Sequence, residues 1–183
     1  MSFQNGAFWF NQDGLFIPFG RNEATQQQVG EFCYGGDLRE VHAVIDFGLL
    51  AGGAETILSE SVRLPVGAVF QDVRVHWTEV GAGGTSFDLG LIELDRSTHS
   101  ASADADGLIA AYVVADMDLG AVDFVKDADS TPAGVTGGAL IAGAVALTVP
   151  CLLTVTTVGT FTTGIGRFVI RYHAAPTSGQ VGN

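Results

Sequence analysis
Side chains able to do chemistry are few in this sequence and thinly spread. Asp104-Ala105-Asp106-Gly107 carries the opening of a calcium-loop pattern, two carboxylates two residues apart and then glycine. A complete loop adds a third oxygen ligand and a distant bidentate Glu, and neither follows. Asp104 and Asp106 are therefore a partial match to a metal site, and a plain solvated turn is the simpler reading. Asp127 and Asp129 form a similar fragment. Among His42, His76, His99 and His173 no pair has zinc-ligand spacing. His42, His76 and His173 fall on the polar side of strand-like runs and would meet only if those strands were neighbours. Asp72, Asp88 and Glu93 lie on runs expected to adjoin, which leaves open the paired carboxylates of sugar hydrolysis. Acidic residues on the wet face of a sheet are more often solubilising. There is no G-x-S-x-G elbow, no G-x-G-x-x-G before a helix and no P-loop. Cys33 and Cys151 leave one disulfide open, with buried thiols favoured. The expectation is a protein with no catalytic residues, no cofactor and no resident metal.

Composition narrows the partners. The 183 residues suit one domain with a sizeable core, and 47% of them are hydrophobic, too many for a disordered chain. The formal net charge is −12 with only eight Lys and Arg, scattered along the chain. Binding nucleic acid or an anionic membrane needs clustered positive charge, so neither partner is expected. The start, MSFQNGAFWF, has neither a basic n-region nor a continuous apolar h-region, so no secretory signal is expected. Residues 130–166 hold no charge, but Pro150 and several glycines punctuate them. Buried strands over 139–149 and 151–158 fit better than a membrane helix.

The elements that would position any site are strands. In residues 69–78, Val69, Val73, Val75 and Trp77 alternate with Asp72, Arg74, His76 and Thr78, giving one dry and one wet face. Phe87, Leu89 and Leu91 share a face in the next run, and Gly81-Ala82-Gly83-Gly84 between them predicts a long antiparallel hairpin. Burying each large side chain on its dry face is worth about 1.5–3 kcal/mol, which demands a second layer. Val41, Ala43, Ile45, Phe47 and Leu49 predict another strand. Residues 55–64 predict a short one, ending at a type I turn with Pro65 in its second position. Residues 108–125 lean to strand. In the last strand Phe168, Ile170 and Tyr172 face in, with Arg167, Arg171 and His173 out. About eight strands with glycine turns and no clear helix predict an all-β, antiparallel two-sheet sandwich, jelly-roll-like, over residues 40–175. Residues 176–183 read as a flexible tail. Residues 1–39 form an extended arm crowded with aromatics, with a small hairpin at Asp13-Gly14. An isolated hairpin is marginal in water, so the arm lies on its own domain or inserts into a neighbouring subunit. The side chains that would anchor it are Phe3, Phe8, Trp9, Phe10, Leu15, Phe16 and Phe19.

Two places resemble a known family. Asn11-Gln12-Asp13-Gly14-Leu15-Phe16-Ile17-Pro18-Phe19-Gly20 looks like the start of small virion proteins of tailed bacteriophages. Leu64-Pro65-Val66-Gly67-Ala68-Val69, then Phe87-Asp88-Leu89-Gly90-Leu91 and Gly166-Arg167-Phe168-Val169-Ile170-Arg171-Tyr172, is similar to β-sandwich capsid-decoration or head-associated proteins. The resemblance implies a non-enzymatic role in the virion, assembled in the host cytoplasm. Its partners would be the major capsid protein and further copies of the chain, a trimer being favoured. Other readings are a tail, connector or minor shell component, and a carbohydrate-binding sandwich, although Trp77 faces inward and offers no sugar platform.

Overall fold
Alternation builds the longest strands as expected. Val73, Val75 and Trp77 are buried between exposed Arg74, His76 and Thr78, and Phe168, Ile170 and Tyr172 are buried between the exposed or half-buried Arg167, Val169, Arg171 and His173. The structure, a computed structural model, describes residues 8–10, 16–21, 28–33, 38–95, 103–120, 122–126 and 136–174. Its strands are β1 Phe8–Phe10, β2 Phe16–Arg21, β3 Gln28–Cys33, β4 Leu38–Asp46, β5 Glu55–Ile57, β6 Arg63–Leu64, β7 Val69–Ala82, β8 Ser86–Glu93, β9 Ile109–Val113, β10 Val122–Val125, β11 Thr136–Gly137, β12 Cys151–Val158 and β13 Thr163–His173. They form two sheets, β1-β2-β3-β4-β13-β7-β10 and β11-β9-β8-β12-β5, with β6 beside β12. Every pairing between these strands is antiparallel. The chain is an all-β two-sheet sandwich.

The core lies between the sheets, where aromatic rings interlock. Phe47 stands 4.8 Å from Phe87 and 5.7 Å from Trp77, centroid to centroid. Phe168 meets Trp77 and Phe87 edge-on, both at 5.8 Å. Such tilted and edge-on contacts suit the ring quadrupole and add to area burial.

The expected hairpin does not form. β7 pairs with β13 and β10, while β8 pairs with β12 and β9 in the other sheet. The chain crosses between layers at Gly83-Gly84. Thr162 N–H donates to Ala82 in one sheet at 2.8 Å, and Thr85 N–H donates to Val158 in the other at 2.9 Å. Gly84 passes under the Phe161 ring, where a Cβ would lie 2.2 Å from a ring carbon. The crossing lets the dry faces of β7 and β8 bury each other. As a hairpin both would face the same way and both would need cover.

Other departures have local causes. Residues 139–149 are not a strand. Ala139–Ala142 make one α-helical turn, α1, which ends at Gly143 and Ala144 (φ 46). A continuous apolar run cannot by itself tell a buried helix from a buried strand. Residues 55–64 split into β5 and β6, because the Ser59 hydroxyl caps a bend by accepting from Ser61 and Val62 N–H. Pro65 is the first residue of its turn: Ala68 N–H donates to the Pro65 carbonyl, and Gly67 sits at φ +82, a type II geometry. Leu49 is exposed, since Phe47–Leu49 turn as a 3-10 helix capped by the Asp46 carboxylate. Val114–Asp116 make another such turn, inside the run expected to be strand. Asp72 is buried, because β7 carries an extra residue opposite Arg171/Tyr172 and Arg171 closes over it. Among the described residues no helix is long and apolar enough to cross a membrane.

Candidate functional site
The first part of the chain continues the sheet of the body. β3 pairs with β4 from Gln28↔Val44 to Cys33↔Arg39, β2 pairs with β3, and β1 pairs with β2. Phe8, Trp9 and Phe10 occupy β1, and Phe16 and Phe19 occupy β2. Phe3 and Leu15 lie outside the described residues. β1 is the terminal strand of this sheet.

A buried polar clamp holds β3. The Tyr172 hydroxyl donates to Glu31 Oε1, and Arg39 Nη1 stands 3.5 Å from the same oxygen. Glu31 is buried on β3, Arg39 is on β4 and Tyr172 is on β13, so three adjacent strands meet in one cluster. Burial, with the Glu31 carboxylate second, pushes the Tyr172 hydroxyl above its ordinary value. Tyr172→Phe removes one donor and leaves a buried carboxylate undersatisfied. The expected cost is about 1–3 kcal/mol, with faster amide exchange in residues 28–33. Unchanged exchange there would show that the hydroxyl does not hold the strand.

A second cluster lies at the β10 end of the same sheet. Trp77 Nε1 donates to Asp123 Oδ2 at 2.9 Å and to the Tyr112 hydroxyl at 3.1 Å, and Tyr112 itself donates to Asp123. This ties β7, β9 and β10 across the two sheets. Burial raises the Asp123 pKa, and its hydrogen bonds from Tyr112 and Trp77 only partly oppose the rise. A raised folded-state pKa gives stability that is full below the ordinary carboxylate value and is lost as pH climbs through the raised one. Asp123→Asn keeps an acceptor for both donors and carries no charge. It should therefore flatten the loss of stability on going from about pH 4 towards neutral. Melting curves across that range check this, and an unchanged slope would contradict it.

On the outer face of the seven-stranded sheet, Arg171 Nε lies 2.9 and 3.0 Å from the two Asp72 oxygens, and Arg74 Nε lies 3.7 Å from Oδ1. His42 contacts Glu40 at 3.2 Å, and Gln71 bonds His173. His42, His76 and His173 share this face without converging, and His99 lies outside the described residues. Asp72 sits in one sheet, with Asp88 and Glu93 in the other, so the strands that carry them do not adjoin as expected. Asp88 instead accepts from Ala111 N–H at 2.6 Å.

Asp104 and Asp106 do meet. The side-chain hydrogen bond with Asp104, which favours a protonated Asp106, is the chief cause of a raised Asp106 pKa, with burial next. Their turn is held by backbone: the Asp104 carbonyl accepts from Leu91 N–H at 2.8 Å and Gly107 N–H at 3.2 Å. Among the described residues no three His, Cys, Asp or Glu side chains are placed to hold a metal ion. Asp127 and Asp129 lie outside those residues. Cys151 is a buried thiol that donates to the Val149 carbonyl, and burial pushes its pKa up to about 11.

The sequence reading did not single out Glu31, Tyr112, Asp123 or Tyr172 as polar anchors. A faint signal exists, since Asp123 interrupts the apolar run Ala121–Val125 and Glu31 lies between Val29 and Phe32. All four act by joining strands, with their polar atoms turned to one another.

No family model matches the chain, and no curated protein matches it in sequence. Two solved structures overlap with it. A chain of the cyanophage Pam1 capsid asymmetric unit aligns at 14% identity, covering 78% of this chain and 89% of that one, with a TM-score of 0.45. The CBM22-1-GH10 modules of an endo-1,4-beta-D-xylanase from Clostridium thermocellum, complexed with xylohexaose, align at 13% identity over 94% of this chain and 27% of that one, with a TM-score of 0.21.

Proposed function
We propose that this chain is a non-enzymatic structural protein of a bacteriophage virion. In this reading it is a decoration or cement protein on the outside of the head. It binds the major capsid protein and its own copies, as a trimer, across joints between capsomers. One observation carries the reading: β3, β2 and β1 extend the body sheet beyond β4 and end it on the strand Phe8-Trp9-Phe10, apolar in sequence. An apolar edge strand is a template for pairing with another chain. Aromatic side chains are the usual anchors of such contacts, and Phe3, Phe8, Trp9, Phe10, Leu15, Phe16 and Phe19 supply them. The family resemblance of residues 11–20, 64–69, 87–91 and 166–172 gives the phage context. The polar clusters fit the same role, since their groups are used up in holding strands together.

The test is a variant lacking residues 1–20, mixed with heads assembled from the major capsid protein of the same phage. The expected result is a body that still unfolds cooperatively and no longer co-sediments with heads. Binding at the full-length level would overturn the reading.

A further inference from the structure
Three segments without a charged side chain meet at one end of the sandwich. They are residues 47–54, 82–85 and 157–163, and none of them holds Asp, Glu, Lys, Arg or His. Backbone hydrogen bonds join them. Gly53 N–H donates to the Thr157 carbonyl at 3.0 Å, Thr85 N–H to Val158 at 2.9 Å and Thr162 N–H to Ala82 at 2.8 Å. Leu49 and Val158 expose 52% and 50% of their surface here. Every other exposed residue of the three segments is Gly, Ala or Thr. Register adds an apolar row beside them. Val158 pairs with Ser86 and Ser86 with Val113, so two exposed valines flank one serine on the outer face of β12, β8 and β9. Val114 N–H donates to the Thr85 carbonyl at 3.0 Å and ties that row to the uncharged end.

The charges that border this end are mostly acidic. Leaving it along the chain, the first charged side chains among the described residues are Asp46, Glu55, Glu79, Asp88 and Arg167, and Asp116 follows Val114. Asp46 is turned back onto its own turn, where it caps Gly48 N–H. Glu55 and Glu79 are exposed, on β5 and β7. Five carboxylates and one guanidinium thus surround an uncharged centre.

We infer that the body docks by this end, and that its occupant is a protein surface with an uncharged apolar centre and a rim of Lys and Arg. The centre of an interface is depleted of charge because charged groups are costly to desolvate, and this end has none to desolvate. A basic rim on the partner complements the carboxylates, steers the encounter and fixes the register. A second copy would set two acidic rims against each other in a chain of net charge −12, and an anionic membrane would be repelled in the same way. The inference rests on the assembly reading above, in which this partner is the major capsid protein. It goes further by assigning the end of the sandwich that faces the shell, through a surface that uses none of residues 1–20.

The experiment is co-sedimentation of the full-length chain with heads assembled from the major capsid protein of the same phage. Val113→Arg with Val158→Arg puts two cations into the apolar row and should weaken binding at least tenfold. Val66→Arg is the control, since Val66 is 55% exposed in the turn before β7, at the opposite end of that strand from Ala82, and it should bind as wild type does. Glu55→Lys with Glu79→Lys should weaken binding severalfold. So should raising the salt from about 0.1 M to about 1 M, where the screening length falls from about 10 Å to about 3 Å. Leu49→Ser with Val158→Ser is a milder pair with the same expected direction, and cooperative melting is checked for each protein. Full binding by both valine-row and serine variants would overturn the inference and leave the assembly reading standing. So would an equal loss in Val66→Arg, or binding indifferent to salt and to the glutamate reversals. A homo-oligomer lost in place of head binding would make a second copy the occupant and overturn it too. Wild-type protein that does not bind heads would instead sink the assembly reading, and this inference with it.

Discussion
Trp77→Ala is expected to destabilise the protein by about 3–5 kcal/mol, the range for truncating a large buried aromatic. Trp77 is 1% exposed and touches Phe47, Phe87, Tyr112 and Phe168, so the cavity opens where both sheets meet. The indole N–H also goes, leaving Asp123 with fewer donors in a site where burial already disfavours its charge. Trp77→Phe separates the two effects. It keeps most of the ring and loses the donor, and should cost about 1–3 kcal/mol. For a chain of this size each kcal/mol lowers the melting temperature by about 2–4 °C, so calorimetry resolves both steps. A melting temperature for Trp77→Phe equal to that of wild type would mean that the hydrogen bonds contribute nothing beyond ring packing.

Gly90→Ala is the second change expected to have a large effect, and the residue it adds is small. A Cβ at Gly90 would lie 2.1 Å from the carbonyl carbon and oxygen of Ala105 and 2.3 Å from the Asp104 oxygen. These are backbone atoms and cannot rotate aside. The turn must lift, and the Leu91-to-Asp104 hydrogen bond of 2.8 Å lifts with it. Gly138 closes the same turn from another side, where a Cβ would stand 2.0 Å from the Asp106 oxygen. Overpacking typically costs about 1–3 kcal/mol, and contact with backbone on both sides puts this case at or above the upper end. Urea unfolding checks it: a midpoint within error of wild type would mean that the turn moves freely. The same packing explains Asp104-Ala105-Asp106-Gly107 in structural terms. Its glycine is needed for fit, since a Cβ at Gly107 would meet the Leu140 side chain at 2.6 Å.

Much of the fold was legible in residue order. Period-two alternation placed β4, β7 and β13 with the correct faces inward, because a strand exposes alternate residues to core and solvent whatever its partner. It also placed Trp77 inside, which removed the only tryptophan of residues 40–175 from any sugar-binding surface. The run 139–149 was not legible, because uniform apolarity has no period. The outcome there depends on what Gly138 and Gly143 can pack against.

Which strands are neighbours was decided by the tertiary structure alone. Alternation fixes a strand's faces and says nothing about its edges, so β7 and β8 read as a hairpin and lie in opposite sheets. The same limit hid the polar anchors. Glu31 and Tyr172 are 141 residues apart, and Trp77 and Asp123 are 46 apart. Such pairs become visible only when the sheet brings their strands together. It also hid the Arg171–Asp72 pair, whose members lie 99 residues apart and meet through the register of β7 and β13. Side-chain chemistry and local period determined that this is a two-layer β protein without a reactive motif. The pairing of strands, set by burying two apolar faces at once, decided where its charges and open edges lie.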